Sequence, residues 1–116
     1  MQFKQITSTE LTPFDVSEWD EDSTAYVKDL TALERLVFND LFLTFYDKEK
    51  TANDRFHAGF KAAQMAIVDA SGASLIKDAD ERAASQASLD PIMRLFTHYL
   101  KSIERDDGEL DAAKKN

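Results

Sequence analysis

The longest helical pattern of apolar positions in the chain is TALERLVFNDLFLTFY, residues 31–46. At about 100° per residue, Leu33, Val37, Leu41 and Phe45 form one stripe. Phe38, Phe42 and Tyr46 widen it, and Leu36 and Leu43 occupy a further flank. Thr31 followed by Glu34 has the capping-box spacing, in which each side chain satisfies the other's backbone N–H, so the helix is expected to start there. A surface helix carries one apolar stripe and a polar back, whereas one apolar nearly all round expects burial. A domain of this size has little interior in which to surround a helix. Leu36, Phe38, Phe42, Leu43 and Tyr46 are therefore candidates for self-association or for contact with a protein partner.

Upstream, the pattern is extended. FKQI (3–6) and TAYVKDL (24–30) alternate apolar with polar positions, and Thr, Val and Tyr suit a pleated surface. A strand pair joined by a long acidic connection is expected. Trp19 lies in that connection, either as a lid over the core or as an exposed anchor for a partner.

Downstream, DKEKTANDR breaks the pattern and leads into a second helix near Thr51 to Val68, with Phe56, Phe60, Ala63 and Ile67 on one narrow face. IVDASGASLIKDADE (67–81) poses a choice between a cation loop and a turn. With Gly72 in the glycine place of a calcium loop, Ile67 falls on the leading ligand position and offers no oxygen, and Asp78 stands where a bidentate Glu is needed. The turn is the better expectation, with Asp69 bonding forward to backbone N–H groups and Gly72 closing it. ASLI after it is a short strand or an extended connector. Asp78 with Glu81 is expected to cap a short third helix through ERAASQA. Asp90 before Pro91 marks the N-cap of a last helix. Ile92, Leu95, Phe96, Tyr99, Leu100 and Ile103 face one way there, with Arg94, His98, Lys101 and Arg105 opposite. Gly108 is a stop signal, and ELDAAKKN has little to bury. The expected fold is mainly α with a small N-terminal β element, of α+β class. It has three to four helices and a short strand pair, in a single domain 1–105 followed by a flexible C-terminal tail 106–116.

Composition narrows the functions. The 116 residues suit one domain, and the eight Phe supply large blocks of apolar area. Three Gly and two Pro are few for an all-β protein. No apolar run approaches about 18 residues, and MQFKQITSTEL lacks a signal-peptide layout, so neither a membrane span nor export is expected. The absence of cysteine excludes disulfides, thiolate zinc sites and cysteine nucleophiles. A net charge of −8 opposes binding to a phosphate backbone. The acids crowd in DVSEWDED, at Asp15, Glu18, Asp20, Glu21 and Asp22, as a solvated loop or a contact for a basic partner. His57 and His98 are the only histidines. His57 with Asp54 has helical-neighbour spacing for a metal, but a half-exposed histidine without metal is the plainer expectation. No nucleophile elbow and no glycine-rich phosphate loop occurs. No enzyme, cofactor or metal is expected.

Taken in succession, VSEWDEDSTAYVKDLTALERLVF and AAQMAIVDASGASLIKDADERAASQASLDPIMRLFTHYL resemble the tail assembly chaperones of long-tailed phages, over residues 14–105. The shared order is a Trp-containing loop, a short strand, a Leu-Thr-x-x-Glu-Arg helix opening, a helix running into an Asp–Gly turn, an acidic cap and a final amphipathic helix. Ser71 replaces the family's acidic residue before the turn glycine, and Ile76 stands where an aromatic is usual. The resemblance implies a non-enzymatic, oligomeric protein of the host bacterial cytoplasm that is absent from the mature virion. Its partners would be the tape-measure protein, which it keeps soluble, and the tail-tube protein, which it helps recruit. The family often extends a minority of chains by a ribosomal slip near the gene's end, where Lys114 and Lys115 stand here. Two other readings remain: an acidic inhibitor or DNA mimic binding a host DNA-binding protein, and a small metal enzyme using His57 and His98.

Overall fold

The computed structural model describes residues 1–5 and 10–100. The chain is α+β. In order it forms β1 (Leu11–Phe14), β2 (Ala25–Lys28), α1 (Ala32–Phe45), α2 (Ala52–Ala66) and β3 (Ile67–Val68). A 3₁₀ turn (Asp78–Asp80) then runs into α3 (Glu81–Ser85). Helix α4 occupies residues 90–100. Ile103, Gly108 and the proposed tail 106–116 lie outside the described residues.

The sheet is antiparallel in the order β1-β2-β3, with Leu11 opposite Lys28, Phe14 opposite Ala25 and Val27 opposite Ile67. Two expectations are corrected here. The first strand is LTPF at Leu11–Phe14 and not FKQI, of which Phe3 to Gln5 have no regular structure and Phe3 is exposed. Pro13 removes a ladder donor, which argues against a central strand, but β1 is an edge where the loss is tolerated. The second helix stops at Ala66, two residues short of the expected Val68. Ile67 turns extended (φ −91°, ψ 119°), because two β-branched residues gain a ladder on β2 that outweighs two more helical positions. The pair of strands thus becomes three. ASLI is a connector joined to β3 through a single bridge between Ser74 and Val68.

Helix α1 opens with the expected capping box: Thr31 Oγ1 accepts from Glu34 N at 3.2 Å, and Glu34 Oε1 accepts from Thr31 N at 3.0 Å. Lys28 Nζ reaches Glu34 at 2.8 Å and ties the end of β2 to this cap. Helix α2 is capped by Thr51, whose Oγ1 accepts from Asp54 N at 3.1 Å. Arg55 Nε donates to Phe45 O at 2.8 Å, so a cation of α2 satisfies an orphan carbonyl at the end of α1.

The short third helix is shorter than ERAASQA and is not capped by Asp78. That carboxylate accepts from Gln64 (2.7 Å) and Lys61 (3.2 Å) on α2 instead. Asp80 takes the capping task for the 3₁₀ turn, accepting from Lys77 N at 2.8 Å. In the last helix Leu89 supplies the first carbonyl, to Ile92 and Met93 N–H, so Asp90 is already helical. Ile92, Leu95, Phe96 and Tyr99 are buried as their face predicts, whereas Leu100 stays exposed.

The core lies between α1, α2 and α4, with β2 and β3 across one side. Its aromatic centre is Phe96, whose ring centroid is 5.3 Å from Phe38, 5.4 Å from Phe42 and 5.1 Å from Phe45. Gly59 makes this packing possible. A Cβ there would lie 2.7 Å from the Phe45 ring and 3.0 Å from Ile92, closer than van der Waals contact permits. Tyr99 Oη donates to Lys28 O at 2.5 Å and fastens α4 to β2. Burial, reinforced by the charges of Asp29 and Glu34, pushes the Tyr99 hydroxyl well above its ordinary pKa.

Candidate functional site

Helix α1 turns its phenylalanines inward. Phe38 and Phe45 are buried, and Leu41 and Phe42 are half-buried against the core. The opposite side is apolar as well. Leu33, Leu36 and Leu43 are 72%, 66% and 62% exposed, and Val37 is exposed beside them. Their spacing puts all four along one side of the helix. Asp40 and Thr44 share that side, and the Thr44 hydroxyl donates to Asp40 O at 3.1 Å, turning its polarity toward the backbone.

The six sequence candidates therefore divide. Leu36 and Leu43 stand on the outer stripe. Tyr46, at the end of α1, is exposed at one edge while its ring meets Phe42 and Phe45 at 5.0 and 4.8 Å. Phe38 lies beneath the surface, 4.7 Å from the Tyr99 ring, and offers nothing to a partner. Phe42 is mostly taken up by Phe96. Trp19 is a lid: its indole N–H donates to Ser88 O at 2.7 Å and its ring packs on the core. Leu33 and Val37 belong to the outer stripe, although periodicity placed them with Leu41 and Phe45. When both sides of a helix are apolar, spacing alone does not tell which side the rest of the chain will cover.

The acidic loop between β1 and β2 is organised by its own carboxylates. Asp15 accepts from Ser17 N (2.8 Å), and Asp20 accepts from Asp22 N (3.0 Å) and Ser23 Oγ (2.7 Å). Glu18 grips Arg94 of α4 through both oxygens, one at 2.8 Å, while Arg94 also donates to Asp15 O at 2.7 Å. The Arg94 hydrogen bonds hold the Glu18 carboxyl below its ordinary pKa. The loop is thus latched to the last helix through Glu18, while Asp15, Glu18 and Asp20 all stay exposed.

The stretch from 67 to 81 folds as a turn. Asp69 accepts from Ser71 Oγ (2.6 Å), Ser71 N (2.8 Å) and Ala73 N (3.1 Å), and Gly72 closes it with φ at 87°. The Ser71 hydroxyl and then the backbone donors depress the Asp69 pKa. His57 Nδ1 lies 2.8 Å from Glu81, joining α2 to α3, and His98 stacks edge-on to Tyr99 at 5.0 Å. Among the described residues no three His, Asp or Glu side chains converge as a metal would require, and no helix is long and apolar enough to cross a membrane.

Comparison with protein-family models, with curated proteins and with solved structures found no match for the chain.

Proposed function

We propose that the chain is a non-enzymatic assembly chaperone of phage tails, which binds and solubilises the tape-measure protein and helps bring tail-tube subunits to it. The outer stripe of α1 carries this reading. Large leucines in open water at Leu33, Leu36 and Leu43 cost solubility and give a folded domain nothing in return unless another helix covers them. An apolar strip of one helix face matches the apolar face of a second amphipathic helix, in the helix-in-groove manner of peptide capture. A protein that coats a long helical polypeptide would use such a strip both for its cargo and for neighbouring copies of itself. The acidic surface, at net charge −8, would keep the coated assembly dispersed. The resemblance of the succession of segments to tail assembly chaperones supports the same reading, under which the protein would act in the host cytoplasm before the virion is complete.

Co-expression with the tape-measure protein of the same phage tests the reading. The wild-type chain is expected to carry the tape measure into the soluble fraction and to co-purify with it. The Leu36→Glu, Leu43→Glu double variant should fold normally and lose both effects. A tape measure equally insoluble with and without the wild-type chain overturns the proposal.

A further inference from the structure

Beneath Trp19 lies a cavity of ≈ 290 Å³ that contains no residue of α1. Its floor is Phe60, Ile67 and Val16, all buried, and Ile76 forms part of a side wall. The roof is the segment from the 3₁₀ turn through α3. No residue of either element is buried, and Ala83, Ala84 and Ala87 line the cavity from above. Alanines there leave open the space that larger side chains would fill. The volume falls just under the roughly 300–1,000 Å³ of pockets that enclose drug-sized ligands, so it suits one bulky side chain better than a whole cofactor.

The charged groups of the pocket have one sign. Asp20 and Asp80 line it, and no Lys, Arg or His does. Asp20 is oriented by Ser23 Oγ and Asp22 N, and Asp80 by Lys77 N, each carboxylate keeping lone pairs beyond those bonds. An apolar cavity edged by two fixed carboxylates complements an apolar group that travels with a positive charge. We propose that this pocket receives a large apolar side chain presented beside Lys or Arg by a protein partner. The site is separate from the α1 stripe and stands whether or not the chaperone reading does.

The probes are three capped tripeptides, acetyl-KFK-amide, acetyl-EFE-amide and acetyl-KAK-amide, titrated into the full chain while NMR follows the Trp19 indole N–H and the methyls of Ala83, Ala84 and Ala87. The KFK peptide is expected to give saturable shifts at these groups, and KAK none. EFE should bind at least about fivefold more weakly, the ratio set by one unit-charge contact near 4 Å in water. Asp20→Asn with Asp80→Asn removes both charges while leaving one acceptor oxygen on each side chain, so that at position 20 either Asp22 N or Ser23 Oγ loses its acceptor. This double variant should bring KFK and EFE to within about twofold. Ala84→Leu should fill the space and abolish the shifts. The proposal is overturned if EFE matches KFK, if KAK matches KFK, if KFK gives no saturable shift, or if its shifts survive in Ala84→Leu.

Discussion

Helices α1 and α2 are nearly the same length and pack against each other, yet they earn their places by opposite means. Helix α1, ALERLVFNDLFLTF, is the more apolar, but only Phe38 and Phe45 are buried. Helix α2, ANDRFHAGFKAAQMA, has few large apolar residues and buries Ala58, Gly59, Phe60, Ala62, Ala63 and Ala66. Small residues let neighbours approach, so α2 is enclosed on several sides at once. Large ones hold neighbours away, and α1 ends with Leu33, Leu36, Val37 and Leu43 uncovered. Apolar content therefore measures what a helix has to bury, while burial itself is set by how closely others can come.

The largest test of this contrast is Phe60→Ala. Phe60 is 1% exposed, and its truncation should cost about 3–5 kcal/mol in urea unfolding. Leu36→Ala, a truncation on the outer stripe of α1, should change stability by less than about 0.5 kcal/mol. Equal losses at the two sites would erase the distinction.

Gly59→Ala is next. Helix propensity alone would stabilise the variant by about 1 kcal/mol. Overpacking against Phe45 and Ile92 costs about 1–3 kcal/mol, so a lowered Tm is expected. Phe45→Leu should restore part of the loss in the double variant, because it withdraws the ring that the new methyl meets. A raised Tm in Gly59→Ala would show that the helices have room to spare.

On the outer side, Leu36→Lys with Leu43→Lys should leave the unfolding midpoint within about 0.5 kcal/mol of wild type. Light scattering at high concentration should then give a smaller mass for the variant than for the wild type. A strictly monomeric wild type would remove self-association from the uses of this face.

The smallest effect is electrostatic. Gln64 and then Lys61 of α2 depress the Asp78 pKa. At the start of α1, partial burial raises the Glu34 pKa, but bonds from Lys28 and Thr31 outweigh it and leave a net depression. Both carboxylates are stabilising when ionised, so their contribution is complete above the ordinary values of 3.8 and 4.5 and is lost as pH falls through the lower folded values. Tm should be level from neutral pH to about 5 and decline below about 4. Glu34→Gln should make that decline shallower. An acid response unchanged in this variant would show that the Lys28–Glu34 link does not hold the cap.

Much of the fold is legible in local chemistry. The Thr31–Glu34 box and the Asp69–Gly72 turn are each determined by residues close in sequence and form as expected, as does the inward face of α4 at Ile92, Leu95, Phe96 and Tyr99, though not at Leu100. What escapes is decided by residues far away. Ile67 and Val68 leave the helix because β2 is beside them. Pro13 disguises an edge strand that only its position in the sheet permits. Phe38 goes inward and Leu36 outward because Phe96 and Tyr99 arrive on one side of α1, a choice its own periodicity leaves open. The pocket beneath Trp19 is invisible in the sequence, since its walls come from the acidic loop, α2, the 67–76 turn and α3.

Helix α2 passes into β3 with no intervening residue. A connection of that kind has no hinge. Unwinding the last turn of α2 would drag Ile67 and Val68 off β2, so helix and sheet should exchange their amide hydrogens together, as one cooperative unit. Helix α3 is different, entered from a single 3₁₀ turn, followed by irregular chain and anchoring no buried residue. Its amides should exchange through small local openings long before those of α2, giving the molecule a slow half and a fast roof built from adjoining stretches of one chain.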